Sequence, residues 1–219
     1  MKINHEVHIQ VADQDVTLLA DKALLLPAED VLVLSDLHLG KASHFQQYGL
    51  SVPGAVAKAD LRKWDELVRR YTPAKVVIAG DLFHASINSE WNWFTSWIRE
   101  WNHLEFHLVK GNHDRFPDSI YTDSGLIVHQ TQYNLDSARI IHQPALKTGS
   151  KLEISGHVHP GIRIRGTGRQ NIRLPCFIIR ANQIILPAFG QFTGLDTGYA
   201  CENDLVYAIA EQEIILFTS

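Results

Sequence analysis

Four short segments of this chain have the make-up of divalent-cation ligands: Ser35-Asp36-Leu37-His38, Gly80-Asp81, Gly111-Asn112-His113-Asp114 and Gly156-His157-Val158-His159. Carboxylate, imidazole and amide oxygen together suit Mn²⁺, Fe or Zn²⁺ better than Ca²⁺. In Asp-x-His and His-x-His an extended backbone puts both side chains on one side, where they can face the same ion. Glycines at 80, 111 and 156 allow sharp turns and a close backbone approach that a larger residue would obstruct. Any one of these pieces is weak alone; their ordered succession from Asp36 to His159 gives them weight.

Each segment follows an apolar run that reads as a buried strand. Parallel strands of one sheet bring their carboxyl ends together, so residues distant in sequence converge there on one polar pocket. The opening third supplies strands at 5–11, 16–19, 23–26 and 31–34, and the last of these is apolar throughout, as a strand covered on both faces must be. From 53 to 71, Val56, Leu61, Trp64, Leu67, Val68 and Tyr71 recur at helical spacing opposite a charged face. A strand at 75–79 leads to a second helix, capped by Asn88 or Ser89, in which Trp91, Phe94, Trp97, Ile98 and Trp101 form one stripe. Such a stripe can be a platform for bases, but packing against a sheet is its commoner use. Strands at 104–109, 126–130, 138–142, 151–155, 161–165, 172–180, 183–186, 205–210 and 213–217 follow. A β–α–β centre flanked by strands predicts an α/β fold of two packed sheets with helices outside, as a single domain over 1–219.

A chain of 219 residues can bury a large core without disulfides or structural metals, so a metal here calls for a functional explanation. The two cysteines, Cys176 and Cys201, sit in unlike contexts and predict no disulfide. No stretch has the length of a membrane span and the first residues lack the pattern of a signal peptide, so a cytoplasmic protein away from the membrane is expected. The net charge of −4 gives no global attraction for nucleic acid. Between Ile154 and Leu195, however, there is no acid, while Arg163, Arg165, Arg169, Arg173 and Arg180 all fall there, so an anionic partner is expected at that region. On an alternating strand Arg163 and Arg165 would point to one side, close to the segment that ends at His159, and could bind a nucleic-acid backbone.

In their order, the motifs resemble the signature of calcineurin-like metallophosphoesterases: Asp-x-His, Gly-Asp, Gly-Asn-His-Asp, a single His and Gly-His-x-His. The resemblance implies a four-layer fold, two mixed β-sheets packed as a sandwich with flanking helices. It assigns one metal to Asp36, His38 and His159, a second to Asn112, His142 and His157, and makes Asp81 the bridge. It also favours His142 over His129, because His-Gln-Pro fits the family's local pattern. Two cations about 3.5–4 Å apart would activate a shared water, so that a metal-bridging hydroxide attacks the phosphate in line. His113 is then the expected proton donor to the leaving oxygen, with Asp114 holding and polarising it. Lys41 and His84 are expected near the rim of the pocket.

Further stretches, Leu39-Gly40-Lys41, Leu82-Phe83-His84, Leu174-Pro175-Cys176-Phe177, Leu186-Pro187-Ala188-Phe189-Gly190 and Phe192-Thr193-Gly194, resemble the ligase-associated DNA-damage-response endonuclease group. That resemblance implies a phosphodiesterase or DNA endonuclease using two divalent ions, Mn²⁺ foremost with Fe, Zn²⁺ or Mg²⁺ as alternatives. It also implies association with a DNA ligase, an exonuclease and a helicase in DNA repair. The motifs specify metals and not the rest of the substrate, which leaves a nucleotide or small-molecule phosphoesterase open. A non-catalytic scaffold fits less well, since every ligand position is filled with competent chemistry.

Overall fold

The structure, a computed structural model, describes residues 4–41, 55–84, 87–147, 149–166, 170–191 and 193–217. Pro53, Arg169 and Phe192 from the sequence reading lie outside these residues, as does the side chain of Val56.

Seven strands form the first sheet in chain order: β1 (Glu6–Val11), β2 (Gln14–Leu19), β3 (Ala23–Leu26), β4 (Val31–Leu34), β5 (Lys75–Ile78), β6 (Glu105–Val109) and β7 (Leu126–His129). The junctions from β1 to β4 are antiparallel and those from β4 to β7 are parallel. Helices α1 (Ala55–Tyr71) and α2 (Ser89–Glu100) make the crossovers after β4 and β5. Asn88 caps α2, its Oδ1 accepting from the amides of Glu90 at 2.9 Å and Trp91 at 3.4 Å.

The second sheet runs β15 (Glu213–Phe217), β14 (Leu205–Ala210), β12 (Asn171–Arg180), β13 (Gln183–Ile185), β10 (Leu152–Ser155), β9 (Ala138–Ile141), β8 (Gln132–Asn134), with β11 (Gly161–Arg165) paired to the first half of β12. Within it, β10 is parallel to both β9 and β13. Both sheets are therefore mixed, as expected.

Alternation along β4 divides the core. Leu32 and Leu34 face α1 and α2, meeting Trp64, Trp91, Phe94 and Trp97. Val31 and Val33 face the second sheet, meeting Ile140, Ile154, Phe177 and Ile184 between the sheets. The tryptophan stripe is thus core and not a base-stacking platform; Trp64 packs against Trp97 with centroids 4.6 Å apart. The helices described lie on the first sheet, while Val158, Ile162 and Tyr199 cover apolar residues on the other side of the second sheet. Two short elements escape the sequence pattern. β8 is a polar edge strand, and the helix α3 (Asp118–Thr122) is one turn long with no side-chain cap. Cys176 and Cys201 are free. Among the described residues no helix is long and apolar enough to cross a membrane.

Candidate metal centre

β4, β5, β6, β9 and β10 deliver their following residues to one edge of the sandwich. The pairing continues past the strands: Asp36 N donates to Gly80 O at 3.0 Å, His38 N to Asp81 O at 3.0 Å, and Gly156 N to His142 O at 3.0 Å. At that edge the backbone is not extended. Asp36, His38, Asp81, His157 and His159 have φ of 54°, 50°, 52°, 72° and 52°. A left-handed conformation costs an L-residue roughly 1–2 kcal/mol, and Asp and His tolerate it better than branched residues do. Five such residues together store strain that the surrounding hydrogen bonds must hold. The extended-strand rationale for the ligand spacing is thereby corrected. Asp36 and His38 do face one point, but His157 and His159 turn to different partners.

Two clusters result, Asp36 with His38 and His159, and Asp81 with His142 and His157, each with its potential ligand atoms within 4.8 Å of one another. In the first, His38 Nε2 lies 3.2 Å from His159 Nε2, which is 3.2 Å from Asp36 Oδ1. In the second, His142 Nε2 lies 3.1 Å from His157 Nδ1 and 3.6 Å from Asp81 Oδ2. Asp81 Oδ2 is also 3.9 Å from His38 Nε2, so one oxygen stands between the clusters.

Both aspartates are held in the same way. Asp36 Oδ2 accepts the amide of His157 at 2.9 Å, a bond that joins the end of one sheet to the end of the other. Its Oδ1 is buried without a hydrogen bond, aimed at the two histidines. Asp81 Oδ1 accepts the amide of His113 at 2.9 Å, which leaves Oδ2 facing inward. Burial opposes ionisation of Asp36, yet contact with His159 and the charges of His159 and His142 hold its carboxyl below the usual range. His38 is pushed down to about 3 by burial, which keeps its ring neutral and its Nε2 lone pair free to ligate. Burial, and then the neighbouring His142, lowers His157 in the same direction.

The unused ring nitrogen of His142 is anchored: Nδ1 donates to Ala79 O at 2.9 Å, which turns Nε2 into the cluster. A Cβ on Gly80, at φ +89°, would stand 2.1 Å from that Nδ1, and one on Gly156 would stand 2.4 Å from Asp36 Oδ2. Both glycines therefore make room for a ligand side chain. His129 lies elsewhere, with Nε2 3.0 Å from His107 Nδ1 and its ring against Tyr133. Asn112 Nδ2 lies 3.4 Å from His157 Nδ1, and a half-turn of the amide would present its oxygen there instead.

His113 stands beside the first cluster, its ring centroid 5.3 Å from that of His38 and 4.1 Å from that of His84. Asp114 is used differently from the expectation that it grips the His113 ring. Its Oδ2 accepts amides of Asp81 at 2.8 Å and Gly111 at 2.9 Å, and its Oδ1 those of Leu82 at 3.0 Å and Phe83 at 3.2 Å. A buried carboxylate with four backbone donors fastens the turn after β5 to the turn after β6. Burial pushes its carboxyl up to about 6 against the pull of the Gly111 amide.

Two further anchors carry no sequence motif for this role. Glu90 of α2 accepts the amide of Gly40 at 2.6 Å, just past His38. The segment after β13 holds the Asp36 backbone, Phe189 N donating to Ser35 O at 2.9 Å and Gly190 N to Asp36 O at 3.2 Å. Arg163 and Arg165 are on β11, exposed and outside both clusters.

The sequence profile of the calcineurin-like phosphoesterase family matches residues 30–174, which takes in every cluster residue. Among solved structures, a nuclease, MPE, from Pseudomonas putida superposes with a TM-score of 0.79 at 29% identity, over 93% of this chain and 96% of that one. YfcE, a phosphoesterase from E. coli, aligns over 84% of this chain and 96% of that one with a TM-score of 0.45 at 19% identity. No curated protein matches the chain.

Proposed function

The chain belongs to the calcineurin-like phosphoesterase family, a metal-dependent hydrolase family with a binuclear site, and on that premise we propose that it is a phosphodiesterase acting on nucleic acid, DNA foremost. The observation that carries the reading is Asp81 Oδ2, placed 3.9 Å from His38 Nε2 and 3.6 Å from His142 Nε2. One anionic oxygen between two clusters fits a pair of divalent ions sharing a ligand. Asp36, His38 and His159 would hold one ion, and Asn112, His142 and His157 the other, with Asp81 between them. The preorganised donors fit this assignment, since each aspartate has one oxygen tied to a backbone amide and the other turned inward.

Two bound divalent ions, Mn²⁺ foremost, would supply a nucleophilic water at neutral pH and charge to neutralise the phosphate. The chain's own residues do the rest. His113, beside the first cluster, donates the proton that the leaving oxygen needs. Asp114 positions the backbone from which Asp81 and His113 project. Arg163 and Arg165, exposed on β11, meet backbone phosphates of the bound strand away from the metals. Nucleic acid as substrate is supported by the likeness to the Pseudomonas putida nuclease and by the acid-free stretch that carries these arginines. The resemblance to the ligase-associated group supports a cytoplasmic, single-domain repair enzyme working beside DNA ligase, exonuclease and helicase.

Metal-stripped protein, resupplied with Mn²⁺, Mg²⁺ or Zn²⁺, is expected to hydrolyse bis-p-nitrophenyl phosphate and to nick plasmid DNA, Mn²⁺ giving the highest rates. Nucleotide hydrolysis without nicking would reassign the enzyme to small molecules. His113→Gln is expected to lower DNA cleavage by about 10²–10⁴-fold, the usual range for general acid catalysis. Because p-nitrophenolate leaves without help, the same variant should lose far less on bis-p-nitrophenyl phosphate. Equal losses on both substrates would mean that His113 binds phosphate and donates no proton.

A further inference from the structure

Beyond its last contact with the sheet, the second sheet puts out a two-stranded arm made of β11 and the first half of β12. In the arm Arg163 is paired directly with Arg173, Ile164 with Ile172, and Arg165 with Asn171. One face therefore carries Arg163, Arg165 and Arg173 together, all exposed. Among the described residues none of the three has a carboxylate within ion-pair distance. Like charges directly opposite on a sheet destabilise it, so the Arg163 and Arg173 pair has a cost that an anionic ligand would remove.

Register fixes where this face points. Ile178 pairs with Ile185, which pairs with Ser155, so residues 171–177 continue past the end of β10 on the side of His157 and His159. Arg173 has the same strand parity as Phe177 and Ile179, which are buried between the two sheets. By register the three arginines stand on the upward continuation of the inter-sheet face, past the strand end from which His157 and His159 extend.

We infer that the β11–β12 arm tracks the backbone of a nucleic-acid strand, with Arg163, Arg165 and Arg173 meeting phosphates several nucleotides from the scissile bond. This rests on the nuclease reading above. At ~3.3 Å per residue, the Cα atoms of Arg163 and Arg165 lie within about 13 Å and about 20 Å of that of His159. With about 3.4 Å of axis per nucleotide along a duplex strand, the arm reaches phosphates up to about four to six nucleotides away. The substrate it selects is a polymer, and the gain from the arm saturates once the strand spans that distance.

The test compares the full-length Mn²⁺ enzyme with Arg173→Gln and with Arg163→Gln/Arg165→Gln/Arg173→Gln on oligodeoxynucleotides of increasing length and on bis-p-nitrophenyl phosphate. In the parent, kcat/KM should climb with length and level off when about six nucleotides flank the cleaved bond. The triple variant should flatten this climb, lowering the ratio of long-oligonucleotide to diester activity about tenfold. It should also reduce the slope of log KM against log salt by about 2, at ~0.7 per lost single-strand contact. Arg173→Lys should keep most of the parent's salt slope, and Arg99→Gln, on exposed α2 surface, should keep the parent's ratio. Because the readout is a ratio within one preparation, a partly folded variant does not imitate the effect. A parent-like ratio and slope in the triple variant, with DNA still cleaved, would overturn the arm and spare the nuclease. A parent that hydrolyses the diester but no oligonucleotide would overturn both.

Discussion

Asp81→Ala is expected to lower bis-p-nitrophenyl phosphate hydrolysis by about a thousandfold or more, on the order of 4 kcal/mol of transition-state stabilisation, and to leave the purified protein with less than its full metal content. Its Oδ2 faces both His38 and His142, while Oδ1 fixes the amide of His113 at 2.9 Å. Without it, Asp36 is, among the described residues, the only carboxylate left in the two clusters to offset two dications. The His113 amide also loses its acceptor, so the proton donor and the metals are released together. Asp81→Asn separates these effects. An amide oxygen can still accept from His113, so the loop stays in place, but the bridging charge is gone. Metal content by plasma mass spectrometry, with Mn²⁺ titrations of activity, should then show a folded protein that needs far more Mn²⁺. Ligand binding stabilises the state that binds, so the parent's melting temperature should rise with added Mn²⁺ while that of Asp81→Ala should not. Two tightly held metals and near-parent activity in Asp81→Ala would place the bridge elsewhere.

Much of this site was legible because ligand chemistry is local in sequence. Asp36, His38 and Asp81 follow β4 and β5, whose parallel pairing brings their ends together; His142, His157 and His159 follow β9 and β10 of the second sheet, so the expectation that the strands of one sheet gather every ligand is corrected to two sheets meeting at one edge. The choice of His142 over His129 needed the family pattern, because both follow a short apolar strand. The structure shows the physical difference: Nδ1 of His142 is anchored to Ala79 O, whereas His129 pairs with His107 on β6. What the sequence could not carry was backbone conformation and non-local anchoring. Nothing in Asp-x-His announces left-handed φ at both ends. Glu90 reads as an ordinary acid in the first turn of α2, although it holds Gly40. Arg173 stands apart from Arg163 in sequence, and only the antiparallel register of β11 and β12 makes them neighbours.

The same limit bears on Asp114. Asp114 follows His113 directly, and adjacency suggests a carboxylate polarising an imidazole; the fold turns Asp114 inward to four backbone amides. Asp114→Ala is accordingly expected to act first on stability. Leaving a buried donor without a partner costs about 1–3 kcal/mol, and even if water or a shifted backbone rescues half of the four, the loss is at least about 2 kcal/mol. For a chain of this size that lowers the melting temperature by at least about 4–8 °C. Asp114→Asn keeps one acceptor oxygen and turns an NH₂ group toward amides that also donate, so it should fall between the parent and the alanine variant. Metal affinity should fall with stability, because the amide of Asp81 and the turn at Gly111 are both tied to this carboxylate. A polarising role predicts the opposite pattern: kcat lost on DNA to the same extent as in His113→Gln, with melting temperature and metal content unchanged. Thermal melts, metal analysis and the two-substrate comparison on Asp114→Ala, Asp114→Asn and His113→Gln therefore distinguish a group that holds the backbone from one that holds the proton donor.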